Sequence, residues 1–594
     1  MKLNINSKIK EIYAHPLGRD IIEKLLLQLG HSTALITNPI VANLRLKTLK
    51  RLSGKKVGRD FFDTIIDLLN QEPDTPRQDT VTPTHAWWKE AVFYQVYPRS
   101  FTNKGLIGII EKLDYLHALG IDAIWLSPIY DSPNDDNGYD IRDYYAIMKE
   151  LGTMEDMDAL ISGLHKRKMK LVMDLVVNHT SDEHHWFKEA LADEKSPYRD
   201  YYFFQKGEDG NPPNNWTSFF GGSAWNYYPD QDMWALHLFS KKQMDLNWEN
   251  PVLREDIYKM VRWWLKKGVD GFRLDVINYI SKAEGLPEGN AYIGELMKYT
   301  GVERYFYGPK LHNYLKELRK NAFEPYSAFS VGETPGIGLQ AGRLLTDEYR
   351  QELDLIFSFD HLEAPGKTRF DDYKYDLIHL KNHYIKHLNA DKGHGWHTIF
   401  FNNHDNPRMI SKIDPTGKYA APLAKLLAVL QLTLRGTPFI YQGDEIGSQN
   451  ETFTSIDDIV DVESLGLYND FLAEGLTPDD AFTRILAGTR DHARSMMKWD
   501  EITNDNAILS FYKTLIEWRR KTPACVYGAL VFVDVKDKQT FKYKRLYEKG
   551  NIYIEANLSS KAAKSTSPTW ASLMISTYEN ESGDLQPYEA RIYS

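Results

Sequence analysis

Hydrophobic and polar positions along residues 1 to about 70 follow a helical period. Asp20 can cap a helix, and Glu23 completes a capping box with it, before a set of apolar positions with helical spacing: Ile21, Ile22, Leu25 and Leu26. Residues 58–60 (Gly-Arg-Asp) begin a second segment of the same design. The stretch 71–85 is rich in Pro, Thr and charge and reads as a linker. A small helical region therefore precedes a larger domain.

From Trp87 the pattern changes to short apolar runs of strand length, separated by longer amphipathic segments. The runs are AVFYQVYP (91–98), DAIWLSPI (122–129), KLVMDLVV (170–177), GFRLDVI (271–277), FSVGE (329–333), LDLIFSF (353–359), TIFFNN (398–403) and TPFIYQG (437–443). Continuous apolar strands joined by helices indicate a parallel sheet covered on both faces. Eight such strands predict an α/β fold, a closed (β/α)8 TIM barrel. An open doubly wound sheet is the alternative, but no Gly-rich phosphate loop follows the first strand.

Insertions interrupt the alternation of predicted strands and helices, and a different pattern of apolar residues follows it. Residues 178–250, rich in Trp, Tyr, Asn and Pro, delay the helix after the third strand and predict an inserted domain. Alternating apolar residues from about 525 predict a C-terminal β-sandwich domain. The predicted organisation is a helical extension with linker (1–80), the first part of the barrel (81–177), the inserted domain (178–250), the second part of the barrel (251–522) with a subdomain (444–500), and the C-terminal β domain (523–594).

Composition and charge narrow the class of protein. Of 594 residues, 42% are hydrophobic and 26% charged, which excludes a disordered chain or a coiled-coil rod. The 72 Lys and Arg against 82 Asp and Glu give a net charge of -10 without a basic block, so we expect no nucleic-acid or membrane partner. The single cysteine, Cys525, excludes an internal disulfide framework. Because no run approaches the ~20 apolar residues that span a bilayer, a soluble, cytoplasmic protein is expected.

Polar residues at the C-terminal ends of the predicted strands are the candidates for chemistry, because active sites of such barrels lie there. Asp275 ends GFRLD, Glu333 ends SVGE and Asp405 follows FFNNH. Each acid alone could simply cap a helix. Together they suit glycosidic bond cleavage, in which one carboxylate attacks the anomeric carbon, one protonates the leaving oxygen and one stabilises the sugar cation. Arg273, on the same strand face as Asp275, could keep the attacking group ionised. Equivalent strand exits carry Asp140, His179 and His404.

Several longer segments resemble one known family. They are SPNDDNGYDIRDY (132–144), DLVVNHTSDEHHWF (174–187), QMDLNWENP (243–251), GFRLDVINYIS (271–281), VGETPG (331–336), FNNHDNPR (401–408), GTPFIYQGDEIG (436–447) and ARSMMKWD (493–500). By these segments and their order, the chain from about residue 88 to the C-terminus resembles the α-amylase superfamily of retaining glycoside hydrolases. Within that superfamily it is most similar to oligo-1,6-glucosidases and dextran glucosidases.

The resemblance implies roles at the matching positions. Asp275 would be the nucleophile, Glu333 the general acid/base and Asp405 the transition-state stabiliser of an exo-acting, retaining α-glucosidase. The residues that would surround the terminal glucose are Arg273, His179 and His404 as ligands, Tyr139 stacked on the sugar, Phe220 in the pocket wall, and Asp140 with Arg494 on the hydroxyls of the non-reducing end.

Val276, directly after the predicted nucleophile, bears on the bond that is cleaved. Relatives that cut α-1,6 bonds tend to carry Val there, and α-1,4 cutters Ala or Thr. A β-branched side chain would reshape the wall that receives the leaving sugar, although Val is also common in strands. The resemblance thus predicts hydrolysis of terminal α-1,6-linked glucose from isomalto-oligosaccharides. An α-1,4-glucosidase, a trehalose-6-phosphate hydrolase and a sucrose isomerase are alternatives on the same scaffold. A non-catalytic binding subunit is disfavoured, because all three acids are present.

Some features depart from the family pattern. The loop SFTNKGLIGII (100–110) corresponds to one that binds calcium or magnesium in many relatives, but it carries no carboxylate, so we expect no metal cofactor. The segment after Arg494 reads Met-Met-Lys-Trp (496–499), which places a lysine near the acceptor side. Residues 1–70 lie outside the usual family architecture. They either mediate assembly or pack on the barrel of the same chain, because an amphipathic helix needs a cover for its apolar face.

Overall fold

The computed structural model describes residues 2–58, 60–71, 75–390, 392–503, 505–579 and 583–594. Arg59, in the second predicted helix start, and residues 72–74 of the predicted linker lie outside the described residues. The described N-terminal region folds into the helices α1 (Ile9–Ala14), α2 (Pro16–Gln28), α3 (Ala34–Thr37), α4 (Pro39–Asn43), α5 (Leu46–Val57) and α6 (Phe61–Gln71).

Asp20 caps a helix, but not the one that the sequence pattern indicated. Helix α2 begins at Pro16, a residue suited to the first helical turn, so Asp20 lies inside it. Its buried carboxylate accepts the backbone N–H groups of Gln340 at 3.1 Å and Ala341 at 2.8 Å. These are the first free donors of the barrel helix Leu339–Thr346. A side chain of the N-terminal region therefore completes a helix of the barrel.

Eight parallel strands form the barrel: β1 (Phe93–Val96), β2 (Ala123–Leu126), β3 (Lys170–Leu175), β4 (Gly271–Leu274), β5 (Phe329–Glu333), β6 (Leu355–Phe357), β7 (Thr398–Ile399) and β8 (Thr437–Tyr441). They pair in the order β6-β5-β4-β3-β2-β1-β8-β7. Between the two end strands, Thr398 Oγ1 donates to the carbonyl oxygen of Ile356 at 2.9 Å and nearly closes the ring. The predicted (β/α)8 barrel is confirmed.

Helices cover the outside of the barrel. They are Gly105–Glu111, Leu113–Leu119, Met154–Lys166, Pro251–Lys267, Leu311–Leu318, Leu339–Thr346, Leu377–Ala390, Ala420–Thr433 and Ala507–Lys521. Strands β1, β2, β4, β5 and β8 are buried along their whole length, since the helices pack on one face and the barrel interior on the other. This burial on both faces explains why the strands read as continuous apolar runs rather than alternating ones.

The insertions fold at the mouth of the barrel. Within residues 178–250 the strand His179–Ser181 pairs antiparallel with Gln243–Asp245. The remaining elements there are the helix His185–Ala192 and a three-stranded sheet of Phe204–Gln205, Met233–Leu236 and Trp225–Tyr228. Residues 444–500 contain the helices Val462–Ala473, Pro478–Gly488 and Asp491–Arg494.

The C-terminal β domain is simpler than the predicted sandwich. Its described residues form one antiparallel sheet of β9 (Ala529–Val533), β10 (Thr540–Leu546), β11 (Ile552–Asn557), β12 (Leu573–Ser576) and β13 (Ala590–Tyr593), in the order β9-β10-β11-β13-β12. The Tyr543 hydroxyl lies 2.6 Å from Thr433 Oγ1, and Arg545 donates to the Thr433 carbonyl at 2.7 Å. A barrel helix thus covers the sheet in place of a second sheet, which alternation along a strand cannot reveal.

The N-terminal helices and the linker pack on the barrel of the same chain. Lys24 Nζ in α2 lies 2.8 Å from the Asp360 carboxylate, just after β6. The ring of Phe61 in α6 lies edge-on to Tyr292 with centroids 5.7 Å apart. Further along, the Val81 N–H donates to a backbone carbonyl of the barrel at 3.0 Å. Of the two roles considered for these helices, packing within the chain is the one the structure displays.

Across the described ranges, no helix is both long enough and apolar enough to cross a bilayer.

Candidate active site

The C-terminal ends of the strands open into a cavity of about 440 Å³. Asp275, Glu333 and Asp405 all line this cavity, although 130 residues separate the first from the last along the chain. They converge because every strand of a parallel barrel ends at the same mouth. The cavity wall also includes most of the other predicted site residues: Tyr139, His179, Phe220, Val276 and His404.

Arg273 holds the two acids that follow or end neighbouring strands. Its Nη1 lies 2.6 Å from Asp275 Oδ1, and its Nη2 lies 2.6 Å from Glu333 Oε2. Nη1 also reaches Asp174 Oδ1 at 2.7 Å, since Arg273 and Asp174 are register partners on β4 and β3. The carboxyl groups of Asp275 and Glu333 therefore lie side by side on one guanidinium group. This closeness suits a retaining pair rather than an inverting pair, whose carboxyls stand roughly 6.5–9.5 Å apart.

The three acids differ in their affinity for a proton. Burial raises the pKa of Glu333 to about 8, although the Arg273 charge opposes it. Burial also raises the pKa of Asp275, to about 7, against the same guanidinium. Burial acts on Asp405 as well, yet its pKa lies well below the ordinary value because surrounding cations, including Arg494, outweigh it. Burial therefore favours a proton on the Asp275–Glu333 pair, while the surrounding cations keep Asp405 ionised.

Val276 adopts a backbone conformation that β-branched residues rarely take. Its φ is 35° and its ψ is 40°, in the left-handed region, which costs of order 1–3 kcal/mol. This turn aims the Val276 N–H at Glu333 Oε2, 3.1 Å away. The side chain meanwhile lines the cavity beside Asp275. The strained turn thus links the residue after Asp275 to Glu333.

Two neutral histidines and a tyrosine form one wall of the cavity. The rings of Tyr139 and His404 lie nearly parallel, 5.4 Å apart, and the Tyr139 hydroxyl is 2.6 Å from His404 Nε2. His179 Nε2 lies 3.0 Å from the Tyr139 carbonyl oxygen. Burial lowers the pKa of His179 to about 4 and that of His404 to about 3. Near neutral pH both rings are therefore uncharged.

Two predicted glucose ligands lie away from the cavity. Asp140 is 0% exposed, and its carboxylate accepts the backbone N–H groups of Asp135 at 2.9 Å and Asp136 at 3.1 Å. Arg494 lies outside the cavity wall, where Nη2 donates to Asp405 Oδ1 at 2.9 Å. The two side chains therefore hold the loops of the site together instead of facing a sugar. Arg273 likewise does not line the cavity, and it forms ion pairs with Asp275 and Glu333 beneath the cavity surface.

Asp136 and Arg490, each four residues earlier, line the cavity instead. Arg490 Nη2 lies 3.0 Å from Asp136 Oδ1, and its Nη1 lies 3.6 Å from Asp405 Oδ1. The guanidinium also stands over the Phe220 ring, 5.2 Å from its centroid. Both residues are buried, so this cluster forms a charged part of the cavity wall. Sequence reasoning missed them because spacing within a loop does not show which acid or arginine points inward.

Two buried carboxyl groups held by one guanidinium, both with raised pKa values, suit double displacement at an anomeric carbon. Carried at the strand ends of a (β/α)8 barrel, this arrangement defines the class of retaining glycoside hydrolases. The family model for the α-amylase catalytic domain matches residues 95–507, and the chain belongs to the α-amylase family.

Individual relatives agree with this assignment. The oligo-1,6-glucosidase of Halalkalibacterium halodurans is 43% identical over 554 residues, covering 85% of this chain and 98% of that protein. The trehalose-6-phosphate hydrolase of Bacillus subtilis is 39% identical with the same coverage. Among solved structures, isomaltulose synthase from Klebsiella sp. LX3 superposes with a TM-score of 0.79 at 36% identity, covering 86% of this chain and 99% of that one. The scaffold is therefore shared by enzymes with several named activities.

Proposed function

We propose that this enzyme is an exo-acting, retaining α-glucosidase that releases terminal α-1,6-linked glucose from isomalto-oligosaccharides. The observation that carries the proposal is the convergence of Asp275, Glu333 and Asp405 on one cavity. The buried Asp136–Arg490 pair supports exo action, because an ion-paired floor leaves room for a chain end but not for a chain that runs on.

The geometry supports a double displacement. Asp275 attacks the anomeric carbon while Glu333 gives its proton to the leaving oxygen, which yields a glucosyl-enzyme ester and a free alcohol. Glu333, now ionised, takes a proton from water as the water attacks the same carbon. The ester bond to Asp275 breaks, and glucose leaves in the α configuration. Asp405 is ionised and stabilises the positive charge that develops on the sugar in each step.

Two observations support the α-1,6 preference. Val276 lines the cavity next to Asp275, where its branched side chain reduces the space that is left for the leaving sugar. In addition, oligo-1,6-glucosidases from H. halodurans, Parageobacillus thermoglucosidasius and Bacillus cereus are 43%, 42% and 41% identical to this chain. We infer the linkage from this position and these relatives together.

Product analysis by NMR tests the proposal. The purified enzyme is incubated with isomaltose, maltose, trehalose 6-phosphate and sucrose, and the initial rates and the anomer of the first glucose are recorded. We expect the highest rate on isomaltose and α-glucose as the first product. Faster cleavage of maltose or trehalose 6-phosphate would reject the linkage, β-glucose would reject retention, and a rearranged disaccharide from sucrose would assign an isomerase.

A nucleophile variant accompanies this assay. Asp275→Asn should lose turnover on every substrate, because the amide cannot form the ester. The control is Asp114→Asn, at an acid whose side chain is 85% exposed and ion-pairs with a surface arginine. Wild-type turnover in Asp275→Asn would show that the nucleophile is assigned to the wrong residue.

We also propose that catalysis needs no bound metal and that the enzyme works in the cytoplasm. The loop 100–110 contains no carboxylate, and its Lys104 lies 2.9 Å from Glu111 Oε1, so a cation already occupies the carboxylate nearest to the loop. The buried, unpaired Cys525 is compatible with a reducing compartment. Fractionation of cells that express the native gene tests the location.

A further inference from the structure

The N-terminal helices form part of the wall of the catalytic cavity. Six aliphatic side chains from α2 and α6 line it: Leu17, Ile21, Leu25, Leu27, Ile65 and Leu68. The α-amylase family model begins only at residue 95, after these helices. A segment outside the family's catalytic domain therefore contributes to the surface that a substrate meets.

The barrel side of the same region is also apolar. Met297, Val302, Phe306 and Leu362 also line the cavity. We call the part of the cavity lined by these four residues and by the six aliphatic residues of α2 and α6 the outer end. It contrasts with the glucose end, where carboxylates, histidines and Arg490 surround the sugar position.

Charged groups line the cavity as well: Lys298, Glu363 and Lys367 belong to its wall, and three others have partners within the protein. The Asp20 carboxylate accepts two backbone N–H groups of the barrel helix Leu339–Thr346. Lys24 pairs with the Asp360 carboxylate at 2.8 Å. Glu303 accepts the Asn290 N–H at 2.6 Å. Apolar groups placed there would gain contact with the aliphatic side chains of α2 and α6.

The outer end is held at a set position relative to the acid. Asp20 contacts the turn that follows β5: a Cβ added to Gly338 would stand 2.5 Å from the Asp20 carboxyl carbon. Gly338 is five residues after Glu333 in the same segment. The cap by Asp20 and the Lys24–Asp360 pair thus anchor α2 to the loops after two adjacent barrel strands.

We propose that the outer end binds the apolar aglycone of α-glucosides, and that the N-terminal helices make alkyl or aryl glucosides additional substrates. The inference rests on the proposed function, because it needs glucose at the catalytic end of the cavity. It adds a substrate class, α-glucosides of apolar alcohols, and names Ile21, Leu25 and Ile65 as specificity residues.

Binding of a homologous ligand series tests the inference without turnover. Methyl, butyl, hexyl and octyl 1-thio-α-D-glucopyranosides share the glucose and differ only in alkyl length, and their dissociation constants are measured by isothermal titration calorimetry. Each methylene that is fully buried tightens binding about fourfold. We expect at least a tenfold drop in the dissociation constant from methyl to hexyl. Equal affinities across the series would overturn the inference.

Matched variants locate the effect. The double variant Ile21→Gln/Leu25→Gln should lose most of the gain with alkyl length while it binds the methyl thioglucoside as the wild type does. Ile22→Gln is the control, since Ile22 is also half-buried in α2 but packs among the N-terminal helices away from the cavity. A full gain in the double variant, or an equal loss in the control, would contradict the assignment.

A second pair of variants, on α6, tests the same inference if the α2 double variant does not fold. Ile65 lines the cavity and its half-buried neighbour Ile66 does not. Ile65→Gln should weaken hexyl thioglucoside binding at least threefold, and Ile66→Gln should leave it unchanged. The outcome is independent of the linkage assay: an enzyme that prefers maltose to isomaltose but binds hexyl thioglucoside tightly would reject the proposed linkage and keep this inference.

Discussion

Replacing Asp136 with asparagine is expected to abolish most of the enzyme's kcat/KM on isomaltose, whereas the same change at Asp140 is expected to lower stability. Asp136 lines the cavity and pairs with Arg490 at 3.0 Å. Asp140 is buried behind it, where Ser132 and two backbone N–H groups fill its oxygens. The two acids stand four residues apart in one loop, so each variant is a control for the other.

The expected loss follows from the hydrogen bonds that each carboxylate makes. A hydrogen bond to a charged group contributes about 1.5–3 kcal/mol. If Asp136 binds two hydroxyls of the terminal glucose, its loss corresponds to about 3–6 kcal/mol, or about 10²–10⁴ in kcat/KM. In the Asp136→Asn variant, Arg490 keeps its contact with Asp461 at 2.5 Å, so the variant should retain the native fold. In Asp140→Asn the amide nitrogen faces a donor, which costs about 1–3 kcal/mol of unfolding free energy.

Steady-state kinetics on isomaltose and urea unfolding, measured for both variants, check the two halves of this prediction. Asp136→Asn should lose kcat/KM with little change in its unfolding midpoint, and Asp140→Asn should unfold earlier with a smaller kinetic loss. The reverse pattern, with a stable Asp140→Asn that has lost more kcat/KM than Asp136→Asn, would refute the assignment of Asp136 to the sugar.

Further predictions concern the acid, the linkage, the cap and the metal. Burial raises the pKa of Glu333 to about 8, and the proposed general acid must be protonated, so activity on isomaltose should fall as pH rises through about 8. Glu333→Gln should lose about 10²–10⁴ in kcat on isomaltose and less on an aryl glucoside. Equal losses on both substrates would argue against Glu333 as the general acid. Val276→Thr should shift the kcat/KM ratio toward maltose by about tenfold, and an unchanged ratio would remove Val276 from the argument. Burial raises the pKa of Asp20 from 3.8 to about 7. Between these two pH values the folded state holds a proton that the unfolded state releases, so the free energy of unfolding falls as pH rises. The loss of unfolding free energy caused by Asp20→Asn in urea should therefore shrink from about pH 5 to about pH 8, and a constant loss would contradict the raised pKa. Dialysis against EDTA should leave kcat unchanged, and recovery of lost activity by added calcium would disprove metal independence.

Much of the fold was predictable from local pattern. The eight strands of the barrel coincide with eight apolar runs, because a strand buried on both faces must be apolar throughout. The acids were predictable as well: Asp275, Glu333 and Asp405 follow or end strands, and parallel strands bring their ends together. In these cases a short stretch of sequence is enough to predict the strand and the acidic residue at its end.

The sequence by itself thus determined the barrel, the family resemblance and the strand-end acids. Only the tertiary structure decided that Asp136 and Arg490, rather than Asp140 and Arg494, face the cavity, since a loop has no period that assigns side chains to a face. It alone also placed the Asp20 carboxylate on a helix more than 300 residues away and turned the N-terminal helices into a wall of the active site. The physical reason is common to both: which groups meet across the chain depends on how separate elements pack, and local pattern does not encode that.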